Sequence, residues 1–71
     1  MSFSVGDEVY IDLELCPNGF KINDMMKEEV ETGKPFTIVS TDNFFASVRL
    51  QGTDIPDELC FTYPVEMLLL V

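Results

Sequence analysis

Phe36-Thr37-Ile38-Val39-Ser40-Thr41-Asp42-Asn43-Phe44-Phe45-Ala46-Ser47-Val48-Arg49-Leu50 reads as two strands and the turn between them. Phe36, Ile38 and Ser40 alternate with Thr37, Val39 and Thr41. Beyond the turn, Phe44, Ala46, Val48 and Leu50 alternate with Phe45, Ser47, Arg49 and Gln51. A period of two, carried by β-branched and aromatic residues, is the pattern of a strand with one face buried. Asp42-Asn43 supplies the turn chemistry, so the stretch predicts a β-hairpin. Phe44 and Phe45 are neighbours and, if both lie in the strand, face opposite sides. One of the two must then leave a small interior and stand as an outward aromatic anchor.

Upstream, Gly33-Lys34-Pro35 interrupts the pattern and the period becomes helical. Ile22, Met25, Met26 and Val30 fall at i, i+3, i+4 and i+8, with Asp24, Lys27, Glu28 and Glu31 elsewhere around the wheel. A short amphipathic helix over about residues 23–32 follows, with Asn23 as N-cap, Asp24 suited to the first-turn dipole and Gly33 as the terminating C′ glycine. Further upstream, Glu8-Val9-Tyr10-Ile11-Asp12-Leu13-Glu14-Leu15 alternates throughout and predicts a first strand, with Val9, Ile11, Leu13 and Leu15 on the buried face. Pro17-Asn18-Gly19 ends it. Downstream of the hairpin, Leu59 to Tyr63 reads as a fourth strand, Pro64-Val65-Glu66 as one helical turn and Met67 to Val71 as a last strand. Among Leu68, Leu69 and Leu70, one or two must face away from the core.

Five short strands with one helix inserted between the first and second predict a mainly β fold, a small antiparallel barrel in a single domain over residues 1–71. Closure removes edges that so small a sheet has little material to cover. A chain of 71 residues with 46% hydrophobic content has enough apolar material to fold, although it buries only about 60% of its unfolded surface.

Charge narrows the function. Thirteen acidic residues against four basic ones give −9, with no histidine. Lys21, Lys27, Lys34 and Arg49 are too few for a basic stripe, which argues against direct binding of nucleic acid or of an anionic membrane surface. No export signal is legible in Met1 to Asp7, and the longest apolar run, Met67 to Val71, falls far short of the ~20 residues that span a bilayer. A reducing cytoplasm is the expected location, with Cys16 and Cys60 as thiols.

Catalytic patterns are missing. There is no histidine base, no phosphate-binding glycine loop and no nucleophile elbow. Cys16 and Cys60 lack zinc-ligand spacing, and Asp54, Asp57 and Glu58 lack the spacing and central glycine of a calcium loop. The sequence therefore predicts no catalysis, no metal and no cofactor. Eight of the acids (Asp7, Glu8, Asp12, Glu14, Asp24, Glu28, Glu29 and Glu31) precede Thr32, and on the helix Asp24 and Glu28 repel at i, i+4. Either the acidity serves solubility alone, or it forms a phosphate-like face for a basic protein.

Phe3-Ser4-Val5-Gly6-Asp7-Glu8-Val9-Tyr10-Ile11, Gly33-Lys34-Pro35-Phe36-Thr37-Ile38-Val39-Ser40 and Tyr63-Pro64-Val65-Glu66-Met67-Leu68 together resemble small SH3-like barrel proteins of bacteriophages and prophages of Gram-positive bacteria. The resemblance spans nearly the whole chain. It departs from the family's pattern in the longer, more helical segment from Gly19 to Thr32 and in having Phe61 or Tyr63 where a tryptophan is frequent. It implies an SH3-like barrel from a phage or prophage, acting in the bacterial host cell, and no reaction.

The resulting expectation is a non-enzymatic interaction module that inhibits or modulates a basic, nucleic-acid-handling host or defence protein. Asp12, Glu14, Asp24, Glu28 and Glu31 would hold the partner by charge, and Phe45 would anchor it. The alternatives are a structural accessory that self-assembles, as a homodimer or larger oligomer, through Leu68 to Val71 or the Phe44-Phe45 hairpin, and a barrel that captures a small ligand.

Overall fold

The computed structural model describes residues 2–71. Five antiparallel strands form one sheet in the order β4-β3-β2-β1-β5: β1 Glu8–Ile11, β2 Phe36–Thr41, β3 Phe45–Leu50, β4 Phe61–Pro64 and β5 Leu68–Leu70. The hydrogen-bonded ladder is open, with β4 and β5 at its edges. A single α-helix, α1 (Asp24–Glu31), lies between β1 and β2. Turns of 3-10 helix cover Leu13–Leu15, Asp57–Leu59 and Val65–Met67. Among the described residues, no helix is long and apolar enough to cross a membrane.

The hairpin forms as its alternation dictates. Phe36 pairs with Leu50 and Ile38 with Val48, and all four side chains are buried, with Ala46 completing the inner row. The register shifts between Ile38 and Ser40, a bulge in β2 that ends the inward row, so Ser40 is exposed rather than buried. The inward faces of β1, β4 and β5 add Val9, Ile11, Tyr63 and Leu68, and Met67 and Met26 close the core.

The first strand is half the predicted length. It stops at Ile11 because the Asp12 side chain accepts from the Glu14 backbone N–H at 2.9 Å, turning the chain into 3-10 helix after one last bond along the β5 register, from the Asp12 N–H to the Met67 carbonyl at 2.9 Å. Alternation therefore fails after Ile11, and Leu15 is exposed instead of buried. At the other end of the chain, Pro64 is the last residue of β4. It is tolerated because β4 is an edge strand, where a missing N–H costs no ladder bond.

The helix has the predicted ends. Asn23 Oδ1 accepts from the Met26 N–H at 2.8 Å, and Gly33 has φ +76° just past the C-cap Thr32. Its buried face, however, is rotated. Ile22 lies before the cap, so the inward set is Met26, Glu29 and Val30 at i, i+3 and i+4, and Met25, about 100° away, is 66% exposed instead of in the core. Met26 is the one buried residue of α1.

Candidate functional site

The described structure has an open groove of about 400 Å³ where three segments meet: the loop after the first 3-10 turn, the tip of the β2–β3 hairpin and the turn after β4. Each wall is fixed by local chemistry. In the first segment, the Phe20 N–H donates to the Pro17 carbonyl at 3.2 Å, and Gly19 takes φ +91° at the third turn position. That is the backbone conformation for which glycine is selected in such turns. Cys16 Sγ adds a hydrogen bond to the Phe20 carbonyl at 3.4 Å.

At the hairpin tip the connection is three residues long, Asp42-Asn43-Phe44, rather than the two-residue Asp42-Asn43 turn. Asp42 Oδ1 accepts from the N–H groups of Phe44 and Phe45 at 2.7 and 2.8 Å, and the Asp42 N–H donates to the Phe45 carbonyl at 2.9 Å. These two donors hold the Asp42 carboxyl below its ordinary pKa. The same turn draws Phe44 out of the strand, so both phenylalanines are on the surface, Phe44 at 71% and Phe45 at 44% exposure. The third wall is tied to the tip where the Val65 N–H donates to the Phe44 carbonyl at 2.9 Å.

Phe20 connects this groove to the core. Its ring centroid lies 6.5 Å from that of Phe45 and 6.5 Å from that of Tyr63, whose ring in turn stands edge-on to Phe36 at 6.4 Å. Such aromatic pairs contribute about 0.5–1.5 kcal/mol each beyond area burial, and through Tyr63 and Phe36 the floor of the groove is continuous with the buried core. The groove is apolar apart from Asn18, Asn43 and one ionisable side chain, Glu66.

The predicted site residues do not form one cluster. Phe45 lines the groove, and none of the five predicted acids does. Asp12 is half-buried as the cap of the first 3-10 turn; Glu14, on that turn, is exposed. Asp24, Glu28 and Glu31 are all exposed on α1, where spacings of four and three place them on one stripe. The ion pair among the described residues lies elsewhere, between Arg49 and Asp57. Sequence reasoning passed over Phe20 and Glu66 because their relevance depends on which loops meet. The only local signal was the Pro17-Asn18-Gly19-Phe20 turn, which fixes where Phe20 points.

The remaining reactive groups have other surroundings. Burial pushes the Cys60 thiol up, partly offset by Arg49, which is opposite to what activates a nucleophile. Its Sγ donates to the Pro56 carbonyl at 3.5 Å. The Tyr63 hydroxyl is buried without a hydrogen-bond partner among the described residues. Burial first, and the charge of Glu29 second, hold its pKa far above the usual tyrosine value, and burial raises that of Glu29 itself. Among the described residues, no group of three or more His, Cys, Asp or Glu side chains is placed to hold a metal ion. Compared with protein-family models, with curated proteins and with solved structures, the chain matches none.

Proposed function

We propose that this chain is a small SH3-like barrel of the phage and prophage type, its open five-stranded sheet curled round the core, and that it works without catalysis as a protein-interaction module. In this reading it is an acidic inhibitor or modulator of a basic, nucleic-acid-handling host or defence protein, acting in the cytoplasm of the bacterial cell. The observation that carries the reading is the aromatic groove of Phe20, Phe44 and Phe45 on a chain of net charge −9. An apolar centre with a polar rim is the anatomy of a protein interface, and the net negative charge, to which the exposed Asp24, Glu28 and Glu31 contribute, favours encounter with a basic partner.

The test is capture of tagged protein's partners from bacterial lysate at low and high salt, with Glu28→Lys/Glu31→Lys as the control. The reading predicts a basic protein held by the wild type, released by salt and lost in the variant. Retention by the variant equal to the wild type contradicts the charge-steered mode.

A second reading, self-assembly, has its own observation. Tyr10 and Leu69 are register partners on β1 and β5, and both are exposed, as are Leu70 and Val71, beside an edge strand that carries no charge. Mass by light scattering in dilute solution tests it: a dimer that Leu69→Lys converts to monomer supports assembly, and a monomeric wild type excludes it.

A further inference from the structure

We propose that the groove takes an arginine side chain of the basic partner, its guanidinium stacked on the exposed Phe44 and Phe45 rings and its charge met by Glu66. The inference rests on the interaction-module reading and specifies which partner group the groove recognises.

Three features select that occupant. The walls are aromatic and proline-rich, and the faces of aromatic rings attract cations through their quadrupole. Glu66 is the one ionisable residue lining the groove, and it is exposed and outside the single ion pair among the described residues. An acidic occupant would meet both Glu66 and the field of a −9 chain, and a neutral apolar one would crowd the carboxylate without answering its charge. Guanidinium fits better than ammonium because it is planar, more weakly hydrated and able to stack and to fork onto a carboxylate at once. The amide side chains of Asn18 and Asn43 at the rim offer carbonyl oxygens for its remaining donors. At about 400 Å³ the groove also falls in the range of about 300–1,000 Å³ usual for small-ligand sites. The bonds to Phe44, Phe45 and Phe20 described above fix its walls before any ligand arrives, which lowers the ordering cost of binding.

The experiment is an amide ¹H–¹⁵N titration of the full chain with the peptide acetyl-Gly-Ala-Arg-Ala-Gly-amide, and with the same peptide carrying citrulline, which keeps the shape of arginine and removes its charge. The expected result is saturable shifts at Phe20, Phe44, Phe45, Val65 and Glu66, with citrulline binding about fivefold weaker. Glu66→Gln should narrow the difference between the two peptides without removing the part that the rings supply, and Phe44→Ala should weaken both. Both positions are exposed, and the unchanged dispersion of the remaining amides verifies the fold of each variant. Equal affinity for the two peptides, shifts confined to Asp12, Glu14 and α1, or an unresponsive groove would each overturn the inference. If the groove is unresponsive while a basic protein is still captured and released by salt, the arginine assignment fails and the module reading stands. If the groove responds but no basic protein is captured, the module reading fails alone.

Discussion

The β2–β3 hairpin and the segment that joins β1 to β2 are held by different forces. The hairpin carries a hydrogen-bonded ladder and buries Phe36, Ile38, Ala46, Val48 and Leu50 in one row. The connecting segment contains α1, which is fixed by caps at both ends and by one buried side chain, Met26. An eight-residue helix is too short to stand on propensity, so it depends on that contact and those caps. The hairpin is the frame of the molecule and α1 an attachment to it, and the groove draws a wall from each region: its tip from the hairpin and Phe20 from the segment.

Substitutions can break this contrast. Phe36→Ala should have the largest effect, a loss of about 3–5 kcal/mol, enough to unfold much of a domain this small. Met26→Ala should stand at the low end of its class, about 2 kcal/mol, and its loss of amide protection should be concentrated in α1. Denaturant melts with hydrogen exchange measure both, and a Met26→Ala loss equal to that of Phe36→Ala would make the helix part of the frame. Asn23→Ala removes the cap of α1 and should cost about 1 kcal/mol, again read most strongly in the helix amides.

Tyr63→Phe should act in the opposite direction. Its hydroxyl is buried and unpartnered among the described residues, and leaving such a group unsatisfied costs about 1–3 kcal/mol, so removing it should stabilise the protein by about 1 kcal/mol at neutral pH. The tyrosine pKa is raised in the folded state, so the neutral form is favoured by folding. Stability from this group is complete below the unfolded value of about 10 and declines above it. The phenylalanine variant should lack that alkaline decline, and a variant that melts earlier than wild type at neutral pH would show the hydroxyl to be useful.

The smallest effect is at the hairpin tip. The Asp42 pKa is depressed by its bonds to the Phe44 and Phe45 N–H groups, so its contribution is present above the unfolded value of about 3.9 and is lost as pH falls through the lower folded value. The Phe44 and Phe45 amides should therefore exchange faster on acidification. Asp42→Asn, which keeps an acceptor without titrating, should remove the pH dependence, and Asp42→Ala should loosen the tip at neutral pH.

What was legible in the sequence follows the same division. Where alternation coincides with a ladder, as from Phe36 to Ile38 and Ala46 to Leu50, pattern and structure agree. The caps Asn23 and Gly33 were legible because their effect is local. The pattern misled where a side chain competed for the backbone. Asp12 ended β1 after Ile11 and exposed Leu15, and Asp42 pulled Phe44 out of β3. Met25 is exposed because the buried face runs through Met26 and Val30, and Met25 stands about 100° round the helix from Met26. The outward Phe45 was legible from the adjacency of two phenylalanines. The groove it belongs to was not, because Phe20 and Glu66 reach it from loops separated by more than forty residues.

The central claim is that one protein partner is bound jointly by charge and by the aromatic groove. The most direct measurement is the Kd of the captured basic partner at low and high salt for wild type, Glu28→Lys/Glu31→Lys and Phe44→Ala. The account predicts that the charge variant weakens binding and flattens its salt dependence, and that Phe44→Ala weakens binding while leaving the salt dependence steep. Equal Kd values for all three proteins, or no basic partner retained at low salt, would contradict it.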